Sequence, residues 1–325
     1  MQFPAYAYPV YAKYMVAQVN ELAKMSEQEV GEHRKQLNGI KVRGKEPQRP
    51  IKNWNQCGLS GRVLDVIRKS GFDTPMPIQA QALPIIMSGR DCIGIAETGS
   101  GKTLAFVLPM LRHIKDQPPL QQGDGPIALV VAPTRELVQQ ISKDTKKFCK
   151  VHNMLVVAVY GGSGVANQIT ELKRGAEIVV CTPGRMIDIL VTSGGKITNM
   201  RRVTYLVFDE ADRMFDMGFE PQISRIHRNI RPSRQTVMFS ATFPRSVSYF
   251  CWSLPQAACI SCQGVHTHGS NHIAMFLSQA KTIWPDKEAA VKDCLSCSLF
   301  TMHHTTDNTA LHTVMQILHS SLSFG

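Results

Sequence analysis

The sequence predicts an α/β protein built on a doubly wound, parallel sheet. From about residue 60, short β-branched runs alternate with helical patterns, and each run ends in a polar or glycine-rich turn. Strands that alternate with helices are typical of βαβ units, which pair in parallel. In such sheets ligands bind beyond the carboxyl ends of the strands, so we expect the functional residues directly after them.

The predicted elements follow one another in a regular order. The strands are predicted at residues 91–95, 128–132, 155–160, 177–181, 205–208 and 236–239. The helices are predicted at residues 104–115, 136–150, 165–174 and 185–191. Before them, apolar residues at three- and four-residue spacing predict a helix over 15–38. Residues 41–52 (KVRGKEPQRPIK) indicate a basic, solvated linker, with a direct nucleic-acid contact as the alternative.

Composition excludes several classes of protein. The 325 residues are 43% hydrophobic and 19% charged, which is typical of a globular chain and not of a disordered one. A membrane-spanning helix needs about 20 consecutive apolar residues, and the longest runs, such as 154–160, are far shorter. We therefore expect no membrane partner. The amino terminus lacks the pattern of a secretory signal, and the nine cysteines are then expected to be reduced thiols in an intracellular protein.

Charge favours a polyanionic partner and divides the chain. The 36 lysines and arginines exceed the 25 acids, giving a net charge of +11. Nucleic acid is the commonest partner of such a protein, and an indifferent basic surface is the alternative. Residues 249–325 contain only three lysines and no arginine. We therefore predict an arm, helix and basic linker at 1–48, a nucleotide-binding domain at 49–247 and a divergent, poorly ordered tail at 248–325.

The segment AETGSGKT (residues 96–103) has the form of a phosphate-binding loop. It follows a predicted strand and opens a predicted helix, where backbone N–H groups cradle phosphate oxygens. Lys102 would reach the β- and γ-phosphates and Thr103 would ligate Mg²⁺. An unrelated glycine-rich turn is the alternative, which the strand–loop–helix context disfavours. The predicted loop residues are Ala96, Thr98, Gly99, Ser100, Gly101, Lys102 and Thr103.

A second candidate lies at the end of VTYLVFDEAD (residues 203–212), an apolar run that closes in acids. A carboxylate at this place positions Mg²⁺ on a bound nucleotide, which is the role we predict for Asp209. Glu210 would orient and deprotonate the attacking water. The alternative is a solvated turn, which an upstream phosphate loop in an α/β chain disfavours. The predicted catalytic residues are Lys102, Asp209 and Glu210.

The motifs together resemble the first RecA-like domain of DEAD-box RNA helicases over about residues 50–247. AETGSGKT is followed in order by PTREL (133–137), a glycine doublet (161–162), TPGR (182–185), DEAD (209–212) and SAT (240–242). The flanking segments look closest to the splicing branch, which acts in pre-spliceosome assembly at the branch-site ribonucleoprotein. The resemblance implies a nuclear, ATP-dependent RNA helicase with spliceosomal proteins as partners. The oligomeric state stays open.

The resemblance also implies how adenine and RNA are held. GFDTPMPIQ (71–79) is similar to the family's adenine-reading motif, in which the Gln79 amide would pair with adenine N6 and N7 and favour ATP over GTP. The alternative for Gln79 is a residue that only starts a helix. Trp54 or Phe72 would stack on the adenine. The residues that would hold one RNA strand through its backbone are Thr134, Arg135, Gly162, Thr182 and Arg185.

A further set implied by the resemblance couples the two sites. Ser240 and Thr242 would link Asp212 to the RNA face, so that hydrolysis is tied to strand distortion. The alternative is a pair of hydroxyls at a strand end without a coupling role.

The sequence departs from the family after residue 247. Full-length members carry a second RecA-like domain with arginines that complete the ATP site, and its motifs are not found in 249–325. An arginine at the transferred phosphate is worth about 10³–10⁵ in kcat. We therefore expect this polypeptide alone not to unwind duplexes. We expect a truncated product, from alternative splicing, intron read-through or an incorrect gene model, or a non-hydrolysing half-helicase that binds ATP and RNA.

Cysteines in the tail have a zinc-like spacing. Cys259 and Cys262 form one CxxC pair, and Cys294 and Cys297 form another. Paired CxxC motifs are typical of zinc sites, but the pairs are far apart and lack glycine-rich turns. Incidental cysteines are therefore the favoured interpretation, with zinc as the alternative.

Overall fold

Eight strands form one sheet in the computed structural model, which describes residues 20–44, 47–162, 164–244, 246–247, 250 and 257–262. The strands are β1 (Lys41–Arg43), β2 (Cys92–Ile95), β3 (Ala128–Val131), β4 (Val156–Val159), β5 (Ile178–Cys181), β6 (Tyr205–Phe208), β7 (Gln235–Ser240) and β8 (Ala258–Ser261). The first five helices are α1 (Asn20–Ala23), α2 (Glu27–Gln36), α3 (Gly61–Lys69), α4 (Pro77–Met87) and α5 (Lys102–Lys115). The others are α6 (Arg135–Cys149), α7 (Val165–Lys173), α8 (Pro183–Ser193), α9 (Ala211–Asp216) and α10 (Glu220–Asn229), with short 3-10 turns at Trp54–Cys57 and Lys150–His152.

The strand order confirms the predicted α/β class. The sheet runs β1-β8-β2-β7-β6-β3-β5-β4, and every neighbouring pair is parallel except β1 with β8. The chain winds outward from β2 to β4 and then returns through β6 and β7, as a doubly wound sheet does. Because β2 to β7 are parallel, all of their carboxyl ends lie at one edge of the sheet.

The central strands are buried on both faces. All residues of β3, β5 and β6 are buried, and these strands are runs of branched and aromatic side chains. Such continuous apolar runs are typical of parallel strands covered by helices on both sides. The Tyr205 hydroxyl donates to the Phe106 carbonyl at 3.1 Å, so the buried phenol of β6 is satisfied by α5.

The helix predicted over 15–38 is interrupted in the structure. Its described part contains α1 and α2, separated by residues 24–26. Ser26 starts α2 with a capping box, because its hydroxyl accepts from the Glu29 N–H while the Glu29 carboxylate accepts from the Ser26 N–H. A serine followed three residues later by glutamate signals a helix start. The capping signal at Ser26 outweighs the continuous apolar spacing. Leu22, Met25 and Val30 nevertheless pack in the hydrophobic core.

The predicted linker and domain boundaries do not coincide with the limits of the sheet. Residues 41–43 of the predicted linker form β1, which pairs antiparallel with β8 from Lys41–Ser261 to Arg43–Cys259. β8 belongs to the predicted tail, yet it lies between β1 and β2. The sheet therefore extends beyond the boundaries at residues 48 and 248. Charge and composition did not reveal the pairing of β1 with β8, because pairing between segments that are distant in sequence leaves no local signal.

The tail cysteines are only partly described. Cys259 is buried in β8, where burial raises the pKa of its thiol to about 12. Cys262 follows the strand, while Cys294 and Cys297 lie outside the described residues, as does most of the predicted tail. Within the described ranges, no three histidine, cysteine or acidic side chains gather as metal ligands would. None of the described helices has the length and apolar character needed to cross a membrane.

His113 is a buried histidine on α5 whose titration affects stability. Its Nε2 lies 2.6 Å from Thr204 Oγ1, and burial lowers its pKa to about 4. The pKa in the unfolded chain is about 6.5. The folded state therefore binds fewer protons in this range, so this contribution is full above about pH 6.5 and is lost as the pH falls toward 4.

We expect His113→Gln to flatten the acid side of the stability profile. Between about pH 7.5 and about pH 5, protonation of the unfolded histidine should cost the wild type about 2 kcal/mol, and the variant should escape that cost. Urea unfolding at both pH values measures the difference. Equal changes in the free energy of unfolding for the two proteins would contradict this assignment.

Candidate functional site

Six of the predicted functional motifs lie at the carboxyl edge of the parallel strands. The phosphate loop follows β2, PTREL follows β3, the glycine doublet follows β4, TPGR follows β5, DEAD follows β6 and SAT closes β7. The fold thus brings together six segments that are separated along the chain. This is the edge where open α/β sheets bind ligands.

The phosphate loop has the backbone that its glycines permit. Gly99 and Gly101 have φ values of +83° and +85°, and Gly101 is the N-cap of α5. These left-handed conformations turn the loop onto the helix start, where free N–H groups favour an anion. Lys102 is buried, and its Nζ donates to the carbonyls of Ala96 at 2.7 Å and Glu97 at 3.2 Å. The ammonium is therefore held within the loop, next to the place where phosphates would bind.

Gln79 is fixed against the phosphate loop. Its Oε1 accepts from the Met76 N–H at 2.8 Å and its Nε2 donates to the Gly101 carbonyl at 2.9 Å. A Cβ on Gly101 would lie 2.4 Å from that Nε2, so only glycine allows the approach. These bonds set which end of the amide is oxygen. An amide has two donor hydrogens and two acceptor lone pairs, so one donor and one acceptor remain.

Of the two aromatic candidates for adenine stacking, the structure exposes only one. Trp54 is 6% exposed and packs in the hydrophobic core, so it is not presented to a ligand. Phe72 is 41% exposed and lies on the turn before α4. The exposure of the two side chains therefore favours Phe72 over Trp54 as the residue that stacks on adenine.

Asp209 is a buried carboxyl at the end of β6. The pKa of Asp209 is raised to about 6, mainly by burial; the charge of Lys102 lowers this pKa, while the charges of Glu210 and Asp212 add to the rise. Mg²⁺ is usually held by one or two carboxylates together with substrate phosphates. Asp209 and the Thr103 hydroxyl, which follows Lys102, fit that need. Because a metal ligand must be the ionised carboxylate, a metal held by Asp209 would be favoured above about pH 6.

Glu210 has an unusual backbone. Its φ is +53°, although glutamate rarely adopts the left-handed conformation. Its N–H donates to Asp209 Oδ1 at 3.1 Å, and its carboxylate binds Arg213 Nη1 at 2.7 Å. Strained residues of this kind often mark functional sites. The conformation lets the two consecutive acids turn away from the strand path at the ligand-binding edge.

The predicted coupling residues contact one another directly. The Asp212 N–H donates to Ser240 Oγ at 3.1 Å, and the Thr242 N–H and hydroxyl both donate to Asp212 Oδ2 at 2.8 Å. Asp212 and Ser240 are buried. Asp212 Oδ1 is also buried and has no hydrogen-bond partner among the described residues. The segments at the ends of β6 and β7 are thus joined through Asp212, by its backbone N–H and by its carboxylate.

The predicted RNA-binding residues surround the starts of two helices. Thr134 caps α6 by accepting from the Leu137 N–H at 3.3 Å, and Thr182 is the N-cap of α8. Arg135 is half exposed, and its Nη1 is 3.1 Å from the position of a Cβ on Gly162. Gly162 has a φ of +79°. In α8, Arg185 Nε is buried without a hydrogen-bond partner in the described chain. Hydroxyls, guanidinium groups and helix starts all suit phosphate contacts.

Two buried glutamines were missed by sequence reasoning. Gln168 on α7 holds both backbone groups of Tyr160, accepting from its N–H at 3.3 Å and donating to its carbonyl at 3.0 Å, directly before the glycine doublet. Gln81 on α4 is fully buried. A polar residue on the apolar side of a predicted helix is the only sequence signal for Gln168. Gln81 had no such sequence signal, because helix α4 itself was not predicted.

Comparison with known proteins gives a family match over the same region. A family model described as DEAD/DEAH box helicase matches residues 76–250. The chain is 68% identical to DEAD-box ATP-dependent RNA helicase 45 of Arabidopsis thaliana over 240 residues, covering 74% of this chain and 24% of that protein. It is 61% identical to the human protein named "Probable ATP-dependent RNA helicase DDX46", covering 74% and 23%. The chain thus spans about a quarter of the length of these curated relatives.

Solved structures show the same architecture. The RNA helicase Prp28 from Chaetomium thermophilum, bound to ADP, aligns with a TM-score of 0.69 and 38% identity, covering 76% of this chain and 59% of that one. The yeast DEAD-box splicing factor Prp28 aligns with a TM-score of 0.71 and 34% identity, covering 76% and 58%. The predicted RecA-like fold is therefore confirmed.

Proposed function

Because this chain belongs to the DEAD/DEAH box helicase family, as its motifs predicted, we propose that it provides the ATP- and RNA-binding unit of an ATP-dependent RNA helicase. The relatives and structural neighbours named as RNA helicases and as a splicing factor support a role in pre-mRNA splicing, with spliceosomal partners and nuclear residence. The observation that carries the proposal is the Asp212 carboxylate, which joins the acids after β6 to the SAT segment after β7.

ATP binding is assigned to the loop after β2 and the start of α4. The remaining acceptor of Gln79 would take the adenine N6 amine and its remaining donor would bind adenine N7. Guanine carries an oxygen acceptor at C6, which would face the Gln79 oxygen and be disfavoured. Lys102 would leave the Ala96 and Glu97 carbonyls and bind the β- and γ-phosphates. Phe72 would cover the adenine.

Hydrolysis is assigned to the acids after β6. Thr103 and Asp209 would hold Mg²⁺, which would supply positive charge to offset that of the phosphates. Glu210 would orient the attacking water and accept its proton. Release of Glu210 from Arg213 is required first, because that ion pair holds the carboxylate.

RNA binding is assigned to the helix starts after β3 and β5 and to the loop after β4. Backbone contacts from Thr134, Arg135, Gly162, Thr182 and Arg185 would hold one strand without choosing its sequence. Movement of the strand would reach the acids through Thr242 and Asp212.

A second candidate is a module that binds ATP and RNA without turnover. One observation favours it: the Glu210 carboxylate, which would accept the proton from water, is bound to Arg213. Steady-state ATP hydrolysis by the 325-residue polypeptide, with and without single-stranded RNA, separates the candidates. RNA-stimulated turnover supports the enzyme, while ATP and RNA binding without turnover supports the module.

We expect Thr242→Val to remove most of the RNA stimulation, because the variant loses one of the two bonds to Asp212 Oδ2. Affinities for ATP and for RNA, measured separately, should stay within about threefold of wild type, since the hydroxyl touches neither ligand in the proposal. The control is Thr170→Val, because the Thr170 hydroxyl donates to the Ala166 carbonyl within its own helix and has no other hydrogen bond among the described residues. Stimulation that survives in Thr242→Val would refute the coupling role.

A further inference from the structure

Helix α4 is held on two sides by two glutamines. Gln79 faces the phosphate loop, as described above. Gln81 is completely buried, and its Oε1 accepts from Arg34 Nε at 2.9 Å while its Nε2 donates to the Gln48 carbonyl at 2.7 Å. At 3.6 residues per turn, side chains two residues apart point about 200° from each other. The two amides therefore bind opposite sides of the same helical turn.

The segment that binds Gln81 contacts α4 a second time through its backbone. The Ile51 N–H donates to the Ala80 carbonyl at 2.9 Å, and the Ile51 carbonyl lies 3.2 Å from His33 Nε2. Arg34, Gln48 and Ile51 thus contact the helix at Ala80 and Gln81. This segment precedes residue 76, where the family match begins.

Arg34 makes this contact although the partial burial of its charged guanidinium is unfavourable. The side chain is half-buried, and burial lowers the pKa of its guanidinium, while Glu27 opposes the shift. The Arg34 guanidinium donates here to a neutral amide, so the contact is directional rather than a charge pair. A directional bond to a buried amide fixes orientation, which suits a positioning role.

We propose that Arg34 and Gln81 are positioning residues for adenine recognition. They hold the first turn of α4 so that the Gln79 amide keeps its bonds to Met76 and Gly101 and presents its remaining donor and acceptor to adenine. The inference rests on the proposed function, because it assumes that Gln79 reads adenine. It makes residues 33–34 and 48–51 part of the support of the nucleotide site, without direct contact to the ligand.

The first test removes the Arg34 donor in the 325-residue chain. Arg34→Met keeps the length of the side chain but cannot bond to Gln81. Dissociation constants are measured for ADP, GDP and tripolyphosphate, because tripolyphosphate probes the phosphate loop alone. We expect ADP affinity to fall about fivefold, the effect of about one misplaced hydrogen bond, with GDP and tripolyphosphate affinities unchanged. Selectivity for adenine over guanine then falls by the same factor.

The matched control is Arg68→Met, since Arg68 lies exposed on α3 and pairs only with Asp65 at 2.7 Å in the described contacts. This variant should bind all three probes like wild type. Two results for Arg34→Met would overturn the inference: unchanged ADP affinity, or equal loss of ADP and tripolyphosphate affinity, which indicates general damage to the fold.

The wild-type measurement separates this inference from the proposed function. A wild-type chain that binds ADP no better than GDP would refute adenine reading by Gln79, and the inference falls with it. A wild-type chain that selects adenine, together with an Arg34→Met variant that selects it equally well, would refute the inference alone.

A second measurement needs no variant. The Ile51 N–H donates to the Ala80 carbonyl. The rate at which this hydrogen exchanges with solvent therefore reports whether Ile51 is bound to α4. We expect ADP to slow this exchange in the wild type, about fivefold, while tripolyphosphate leaves it unchanged. Equal exchange with and without ADP would overturn the inference, even if Arg34→Met fails to fold.

Discussion

Glu210→Gln is expected to lower the rate constant for hydrolysis of bound ATP by about 10²–10⁴-fold, the contribution of a positioned general base. The amide keeps an oxygen that can accept from Arg213, so the local structure should persist. It cannot take a proton from water. ADP affinity should remain within about twofold of wild type, because Glu210 is not assigned a contact to the ground-state nucleotide. Single-turnover hydrolysis with single-stranded RNA measures the effect.

The control for this variant is Glu220→Gln, which makes the same change on the exposed first turn of α10. It should hydrolyse ATP at the wild-type rate. Hydrolysis by Glu210→Gln at the wild-type rate would show that another group accepts the proton. Loss of ADP binding in Glu210→Gln would assign Glu210 to binding instead.

Lys102→Ala is expected to weaken ATP binding by at least about 100-fold. Hydrogen bonds to charged groups contribute about 1.5–3 kcal/mol each, and the ammonium is assigned to two phosphates. The affinity for labelled ATP is measured by titration with Mg²⁺ present. The charge of Lys102 also lowers the pKa of Asp209, so its removal should raise that pKa above about 6 and move metal-dependent binding to higher pH.

Lys115→Ala is the matched control, because Lys115 is exposed at the other end of the same helix. ATP affinity should be unchanged in this variant. If Lys102→Ala binds ATP as tightly as the wild type does, the phosphate site lies elsewhere. If both variants weaken binding equally, the effect is one of general charge rather than of a phosphate contact.

Much of the site could be predicted because its signals are local. AETGSGKT and DEAD each follow an apolar run, and the carboxyl ends of parallel strands must meet at one edge. The sequence alone therefore predicts that Lys102, Asp209 and Glu210 lie at the same edge of the sheet. The Asp212–Thr242 bond was also expected, although only through the resemblance.

Other features depend on packing and have no local signal. Trp54 and Phe72 are both aromatic residues near the predicted adenine site, and only tertiary burial distinguishes them. Gln81 is polar and follows Gln79 by two residues, yet its importance comes from Arg34 and Gln48, which are far away in sequence. The pairing of β1 with β8 joins segments from the two ends of the described chain, and periodicity cannot detect such a pair.

The position of β8 in the sheet determines when the sheet can be completed during translation. Residues 41–43 and 92–95 leave the ribosome early, yet the strand that lies between them comes from Ala258–Ser261. Until that strand emerges, the nascent chain carries an open β2 edge with unpaired backbone groups, which can recruit other strands. Contacts of such long sequence separation also form slowly. The nascent chain is therefore expected to depend on chaperones until residue 261 has emerged from the ribosome.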